Sequence, residues 1–382
     1  PRSTPKPSSA ASDVYKRQQV SKMNYMSRAI SLSKRALGSV SPNPAVGALV
    51  VKNDKIVGEG WTQPPGQNHA EIMAIEQAGE LSKGASLYTT LEPCNYHGRT
   101  PPCVTKIIES QIKKVHISIL DPNKNVYGQG LKKLQEEGVE TELGELSQKA
   151  TTNLEGYLKF VTKKSPFITA KFAMSLDGKI ATKTGDSKWI SGEKSRRFVH
   201  QLTADSDAIM VGVNTVIKDD PKLTARNKSG KPNSHQPLRI ILDTNLRTPL
   251  NSMILKQPGT TIIATSNSNN SHFSNIPNVE IWEIPKHNSR ISIPDLFSNI
   301  YNRGISGVLV ESGGTLLGTM FDQKSIDKVI AFISPKIIGG ENSTSPVIGI
   351  GIDSVNNSIQ INNQKWRKFG DDMAMIGYCN NS

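Results

Sequence analysis

Sulfur is scarce in this chain: three cysteines in 382 residues. So small and odd a number excludes a secreted scaffold stapled by disulfides and predicts a reducing, cytoplasmic setting. Long apolar runs are missing as well. The longest, "AVGALVV" at 45–51, falls far short of the ~20 residues that cross a bilayer. It suits a buried strand, and no membrane partner is expected. Blocks of like charge are absent although the net charge is +13. Scattered lysines point to a Lys-rich surface or a small anionic substrate more than to nucleic acid. What remains is ordinary, with 36% hydrophobic and 21% charged residues. That is a soluble globular composition, and the length allows two cored domains.

The opening "PRSTPKPSSAASDVYKRQQVSK" lacks an initiator Met and is rich in Ser and Pro. Residues 1–22 are therefore expected to be a tail foreign to the fold, a transit segment or an appended scar, with Met23 the first convincing start. From there helices and strands alternate. "YMSRAISLSKRAL" (25–37) has helical spacing with Gly38 as a stop, and "AVGALVVKNDKIVGEGW" reads as two strands about an Asn-Asp turn. "AEIMAIEQAG", "VTKIIESQ" and "GLKKLQEEG" read as helices, "GASLYTTLEP" and "KKVHISIL" as strands. Such alternation predicts a layered α/β sandwich. A polar break at Lys163–Pro166 places a domain boundary near 164, giving domains 23–164 and 165–382. The second repeats the α/β habit in "SDAIMVGVNT", "LRIILD", "GTTIIATS", "GVLVESGG" and "KVIAFISP", with a Ser/Asn-rich surface loop at 266–276.

Two of the cysteines stand in "EPCNYHGRTPPC", each directly after a proline. Upstream, His69 and Glu71 open a helix. One imidazole and two thiolates, His69, Cys94 and Cys103, make three protein ligands for Zn²⁺, and the fourth position stays open for water, as in a catalytic site. Proline is tolerated at a helix start, and a thiolate placed there faces the positive end of the helix dipole. Glu71, two residues after His69, is free to take a proton from water acidified by the metal and pass it to a leaving nitrogen. H-x-E followed by Pro-Cys and a second Cys is the signature of zinc base deaminases. In that signature two residues separate the thiols, whereas eight do here. His97 lies inside this insert as a competing ligand.

"SPNPAVGALVV", "NHAEIMAIEQAG", "YTTLEPCNYHGRTPPC" and "DPNKNVYGQGLKKLQEEGVE" resemble the deaminase half of the bifunctional riboflavin-biosynthesis deaminase–reductase family, whose form of the motif has this long insert. The resemblance spans roughly 25–145. It implies a cytidine-deaminase-like three-layer α/β/α domain, with Asn43, Asp121 and Asn123 on the pyrimidine. Such amides and carboxylates are equally ordinary turn residues. Arg99, in the insert, suits the ribose phosphate as a charge-assisted contact. Thr62 departs from the family, which usually has His there.

"AKFAMSLDGKIATKTGDSKWISG", "DAIMVGVNTVIKDDPKLTAR", "PLRIILDTNLRTP" and "GVLVESGGTLLG" resemble the family's reductase half, dihydrofolate-reductase-like in fold and dependent on NADPH. Independently, "ESGGTLLG" after a strand suits a helix N-terminus facing a phosphate, or a plain tight turn. Arg226 suits a phosphate, or is an exposed loop cation. By resemblance Lys171, Ser187, Leu223, Arg226 and Glu311 meet substrate. Ala173, Trp189, Thr215, Asp219, Thr244, Gly313 and Gly314 face the nucleotide. Thr203 replaces the family's usual Arg, with Arg196 or Arg197 as candidates to compensate. The resemblance implies hydrolytic deamination of a phosphorylated diaminopyrimidine, then reduction of its ribosyl group to ribityl, in a homo-oligomer. Two rivals stay open: a nucleobase or tRNA deaminase with a degenerate second domain, and a binding protein that kept the fold.

Overall fold

The computed structural model describes residues 24–227, 230–267, 269, 272–273 and 275–379. The expectation for residues 1–22 lies outside them, as does part of the 266–276 loop.

Helix α1 (Tyr25–Ser33) is capped by Asn24, whose side chain accepts from the Ser27 N–H. Met26, Ala29, Ile30 and Ser33 form its buried stripe. The helix stops short of the predicted Leu37, and residues 34–39 continue as tight turns bonded i to i−3. Strands β1 (Gly47–Lys52) and β2 (Lys55–Trp61) form the expected hairpin. Asn53 and Asp54 take φ of 50° and 57°, the left-handed pair that a two-residue turn requires.

Helix α2 (Ala70–Ala78), β3 (Ser86–Thr89), α3 (Cys103–Glu109), β4 (Lys114–Ile117), α4 (Gln129–Glu136), β5 (Glu140–Leu143) and α5 (Ser147–Lys163) follow. The five strands order as β2-β1-β3-β4-β5, with β3, β4 and β5 parallel. Strand β1 is buried on both faces. Ala48 and Val50 pack with α2, α3 and α4, while Leu49 and Val51 pack with α1 and Ala150 of α5. This is a three-layer α/β/α arrangement.

A nine-stranded sheet fills the rest. It is built from β6 (Phe167–Ser175), α6 (Glu193–Asp205), β7 (Ala208–Gly212), α7 (Val213–Asp219), β8 (Leu238–Leu242), β9 (Thr261–Thr265) and β10 (Val279–Glu283). After the short β11 (Lys286–His287) and β12 (Arg290–Ile291) come α8 (Ile293–Asn302), β13 (Gly307–Val310), α9 (Gly314–Asp322), β14 (Lys328–Ser334), β15 (Ile361–Phe369) and β16 (Asp372–Cys379). The order is β10-β9-β8-β7-β13-β6-β14-β16-β15, parallel up to β14 and closed by two antiparallel strands. The sheets meet across α5: Lys159 pairs with Asp327 at 2.7 Å, and Glu155 binds Lys328 and the Tyr378 hydroxyl. No helix among the described residues is long and apolar enough to cross a membrane.

Candidate active sites

His69 is the N-cap residue of α2, and Cys103 is the first residue of α3, behind Pro102. The two helix starts bring the sequence-predicted ligands together. His69 Nδ1 lies 3.2 Å from Cys103 Sγ and 3.7 Å from Cys94 Sγ, and all three ligand atoms fall within 4.8 Å of one another. Tetrahedral zinc with ordinary bond lengths needs N···S edges of about 3.5 Å. The donor set therefore fits zinc in type and spacing. The competing candidate His97 is exposed and outside the cluster.

Thr100 Oγ1 stands 3.3 Å from His69 Nε2, which fixes the imidazole with Nδ1 turned to the sulfurs. The Cys103 backbone N–H, the first of helix α3, points at Cys94 Sγ at 3.4 Å. The helix start thus serves the other thiol of the pair. A hydrogen bond from the Cys103 thiol, with His69 and then the Cys103 backbone N–H adding to it, brings the Cys94 thiol down to about 4, while its partner Cys103 is pushed up. The same contact to Cys94 raises the His69 imidazole.

Glu71 is buried in α2 at 3% exposure. Its Oε1 accepts from Thr89 Oγ1 at 3.1 Å, and its Oε2 is 3.6 Å from Cys103 Sγ. Burial raises its pKa, which suits a group that must hold a proton in transit. The cluster opens into a cavity of about 320 Å³. Asn43, Arg99 and Asp121 line it, with Arg99 exposed at its mouth. Asn123 is outside the lining; its backbone N–H supports Asp121 Oδ1 at 2.9 Å.

Thr62 also lines the cavity but is turned to the backbone, its hydroxyl accepting the Val46 N–H at 3.0 Å. Sequence reasoning missed Tyr157, whose hydroxyl lies 2.9 Å from both Asp121 oxygens and donates its one proton to that carboxyl group, because α5 was not foreseen. Burial raises Asp121 to about 6. Glu92 was also missed, although it directly precedes Pro93-Cys94. Its buried carboxylate accepts the N–H groups of Asp121, Gly128, Gly130 and Leu131, tying the cysteine loop to the Asp121 loop.

In the second sheet, Lys171 on β6 and Glu311 at the end of β13 face each other on adjacent strands, Nζ to Oε2 at 3.9 Å. Among the described residues, Glu311 Oε1 is buried with no hydrogen-bond partner, which leaves an acceptor free for a bound molecule. His200 on α6 belongs to the same cluster and was missed. Burial, then the charge of Arg226, lowers its pKa. Arg226 Nε is held by Thr224 Oγ1 at 2.9 Å. Leu223 takes a left-handed φ of 45° and packs into a neighbouring apolar cluster. Ser187 sits half-buried in the turn before Trp189. Thr203 is buried, its hydroxyl donating to the Val199 carbonyl at 3.0 Å. Of the two arginines weighed against it, Arg197 is exposed on Glu193, and Arg196 stacks over Trp189 at 4.5 Å.

A second cavity of about 360 Å³ is lined by Gly212, Thr215, Thr244 and Gly313, with Arg247 and Arg290, which sequence reasoning missed. The start of α9 at Gly313 has no side-chain cap, and Thr215 Oγ1 accepts the Gly313 N–H at 3.2 Å. An uncapped helix start beside two arginines fits a phosphorylated dinucleotide such as NADPH. Ala173, Trp189, Asp219 and Gly314 are outside this lining. Gly314 has a different reason to be glycine: a Cβ there would come within 2.4 Å of the Ser345 carbonyl oxygen. The Asp219 carbonyl accepts from Lys188 Nζ at 3.3 Å.

Two domain families match. Residues 19–119 match the cytidine and deoxycytidylate deaminase zinc-binding region, and residues 166–375 match the RibD C-terminal domain. Riboflavin biosynthesis protein RibD of Aquifex aeolicus is 40% identical over 92% of this chain and 97% of its own length. That of Escherichia coli is 35% identical over 92% and 97%. Among solved structures, Acinetobacter baumannii RibD superposes with a TM-score of 0.84 at 33% identity, covering 94% of this chain and 99% of that one. The Thermotoga maritima diaminohydroxyphosphoribosylaminopyrimidine deaminase/5-amino-6-(5-phosphoribosylamino)uracil reductase gives 0.82 at 36%, covering 94% and 98%.

Proposed function

This chain belongs to the RibD family of riboflavin-biosynthesis proteins, and from that premise we propose that its two activities reside in two separate side-chain clusters, divided near residue 164. The enzyme performs a zinc-dependent deamination and an NADPH-dependent reduction.

His69, Cys94 and Cys103 hold the metal. Bound zinc supplies Lewis acidity that makes water a nucleophile near neutral pH. Glu71 takes the proton of the attacking water on a carboxylate oxygen and delivers it to the departing ammonia. Asn43 and Asp121 hold the pyrimidine, with Asn123 supporting Asp121, and Arg99 meets the phosphate. One observation carries this reading: the buried carboxylate of Glu71 stands beside a cluster of one imidazole and two sulfurs, on the wall of a nucleotide-sized cavity.

In the second half, Lys171 Nζ offers donor protons and the unpartnered Glu311 Oε1 an acceptor to the ribose hydroxyls. Arg226 takes the phosphate, and Ser187 and Leu223 complete the substrate wall. NADPH supplies the hydride that converts the ribosyl group to ribityl. Thr215, Thr244 and Gly313 line the cavity that would hold its phosphates and ribose. The protein acts in the cytoplasm as a homo-oligomer. Exposed Trp366 on the open edge strand β15, and the exposed apolar residues Ile350 and Val355, support self-association.

The test of the first half is Glu71→Gln. Deamination kcat should fall by roughly 10²–10⁴-fold, with zinc content and the reduction of separately supplied product unchanged. Undiminished ammonia release would remove Glu71 from the mechanism.

A further inference from the structure

The Ser41–Pro44 segment that brings Asn43 to the deaminase cavity is fastened to the reductase half. Ser41 Oγ donates to Asp207 Oδ2 at 2.6 Å. The same oxygen accepts the backbone N–H groups of Ser306 at 2.9 Å and Gly307 at 2.8 Å. The Ser306 hydroxyl lies 2.8 Å from both Asp207 Oδ2 and Ser41 Oγ, so its single proton serves one of them.

Asp207 immediately precedes β7, and Gly307 opens β13, its neighbour in the sheet. A single carboxylate oxygen thus joins two central strands of the reductase sheet to a loop of the deaminase. The corner touches the deaminase site a second way. A Cβ on Gly304 would stand 3.4 Å from Pro42 Cδ, and one on Gly156 would stand 3.4 Å from the Ser306 carbonyl oxygen. The residue after Gly156 is Tyr157, which holds Asp121 in the cavity. Both the Asn43 wall and the Tyr157–Asp121 wall therefore abut residues 304–307.

We propose that Asp207, from the reductase half, is a positioning residue for deamination: through Ser41 it fixes the Pro42–Pro44 loop so that Asn43 faces the pyrimidine. This rests on the reading of Asn43 as a substrate contact. Deamination affinity then depends on a domain that takes no part in its chemistry, which gives the fused chain a physical reason to stay fused.

The experiment uses the full chain loaded with zinc. Ser41→Ala removes only the hydroxyl that crosses the boundary. Loss of one hydrogen bond predicts a rise in the deamination KM of about three- to tenfold, with kcat held within about twofold. Zinc content and the reduction of separately supplied deaminated product should not change. Ser41→Thr, which keeps the hydroxyl, should restore KM, and Asp207→Asn should raise it in the same direction as Ser41→Ala. Asn43→Ala, measured in parallel, separates the two claims. If it leaves KM unchanged while Ser41→Ala raises it, the Asn43 contact falls, and Asp207 still positions the loop but through Pro42 or Pro44, which also line the cavity. A wild-type KM in Ser41→Ala overturns the proposal. So does a joint loss of KM, kcat and zinc that Ser41→Thr does not recover.

Discussion

The deaminase cluster and the reductase cluster are assembled in opposite ways. His69, Glu71, Cys94 and Cys103 come from one short stretch, residues 69–103. It presents two helix starts and a loop to a single point. Lys171, His200, Arg226 and Glu311 are spread over residues 171–311, and meet where β6, the end of β13, α6 and the segment after α7 converge. Metal chemistry restricts both the residue types and their spacing. Hydride transfer needs only donors, acceptors and a phosphate cradle, which ordinary residues supply from any strand end.

The comparison predicts that each cluster fails alone. Lys171→Met removes a charged donor from the proposed ribose site, and reduction should fall roughly 10²–10³-fold. Deamination, followed as ammonia release, should stay at the wild-type rate; a parallel loss would mean that the clusters are coupled. A smaller effect is expected in the nucleotide cavity. Arg247 lines it, with Asn214 and Asp243 as its partners among the described residues. Arg247→Ala should raise the KM for NADPH about tenfold, and that for NADH much less, if this guanidinium meets the extra phosphate. Equal changes for both nucleotides would move that phosphate elsewhere.

The smallest effect is one of stability. Burial raises Asp121 to about 6 from an ordinary carboxylate value. The folded state then binds a proton that the unfolded chain has released, so the stabilising contribution is full below about pH 4 and lost as pH rises through about 6. Asp121→Asn removes this dependence. Its melting temperature relative to wild type should climb between pH 5 and pH 8. A constant difference across that range would show that Asp121 titrates normally.

How far the sequence could be read follows the same division. The β1–β2 hairpin with its Asn53-Asp54 turn, the helices behind His69 and Cys103, and the strands around "AIMVG" and "GVLV" all carry strong local signals. Helix α5 was not foreseen, and with it went Tyr157. Strand β15 has an almost wholly exposed pattern and gave no alternation to detect. The candidate zinc ligands could be argued from residue chemistry alone. Lys171 and Glu311 could be named only through resemblance, because a lone lysine and a lone glutamate on strands carry no spacing. Gly314 shows the cost of reading a turn by motif: its missing side chain makes room for the Ser345 carbonyl. Arg247 and Arg290 were invisible because their cavity forms only when β8, β12 and α9 come together.

One zinc, held by His69, Cys94 and Cys103, would serve deamination alone. Metal content and both activities of purified wild type and Cys94→Ser test it most directly. About one zinc per chain is expected in the wild type. The variant should be nearly free of zinc and no longer release ammonia, yet still oxidise NADPH with the deaminated product. A variant that keeps its zinc, or that loses both activities while remaining folded, would contradict it.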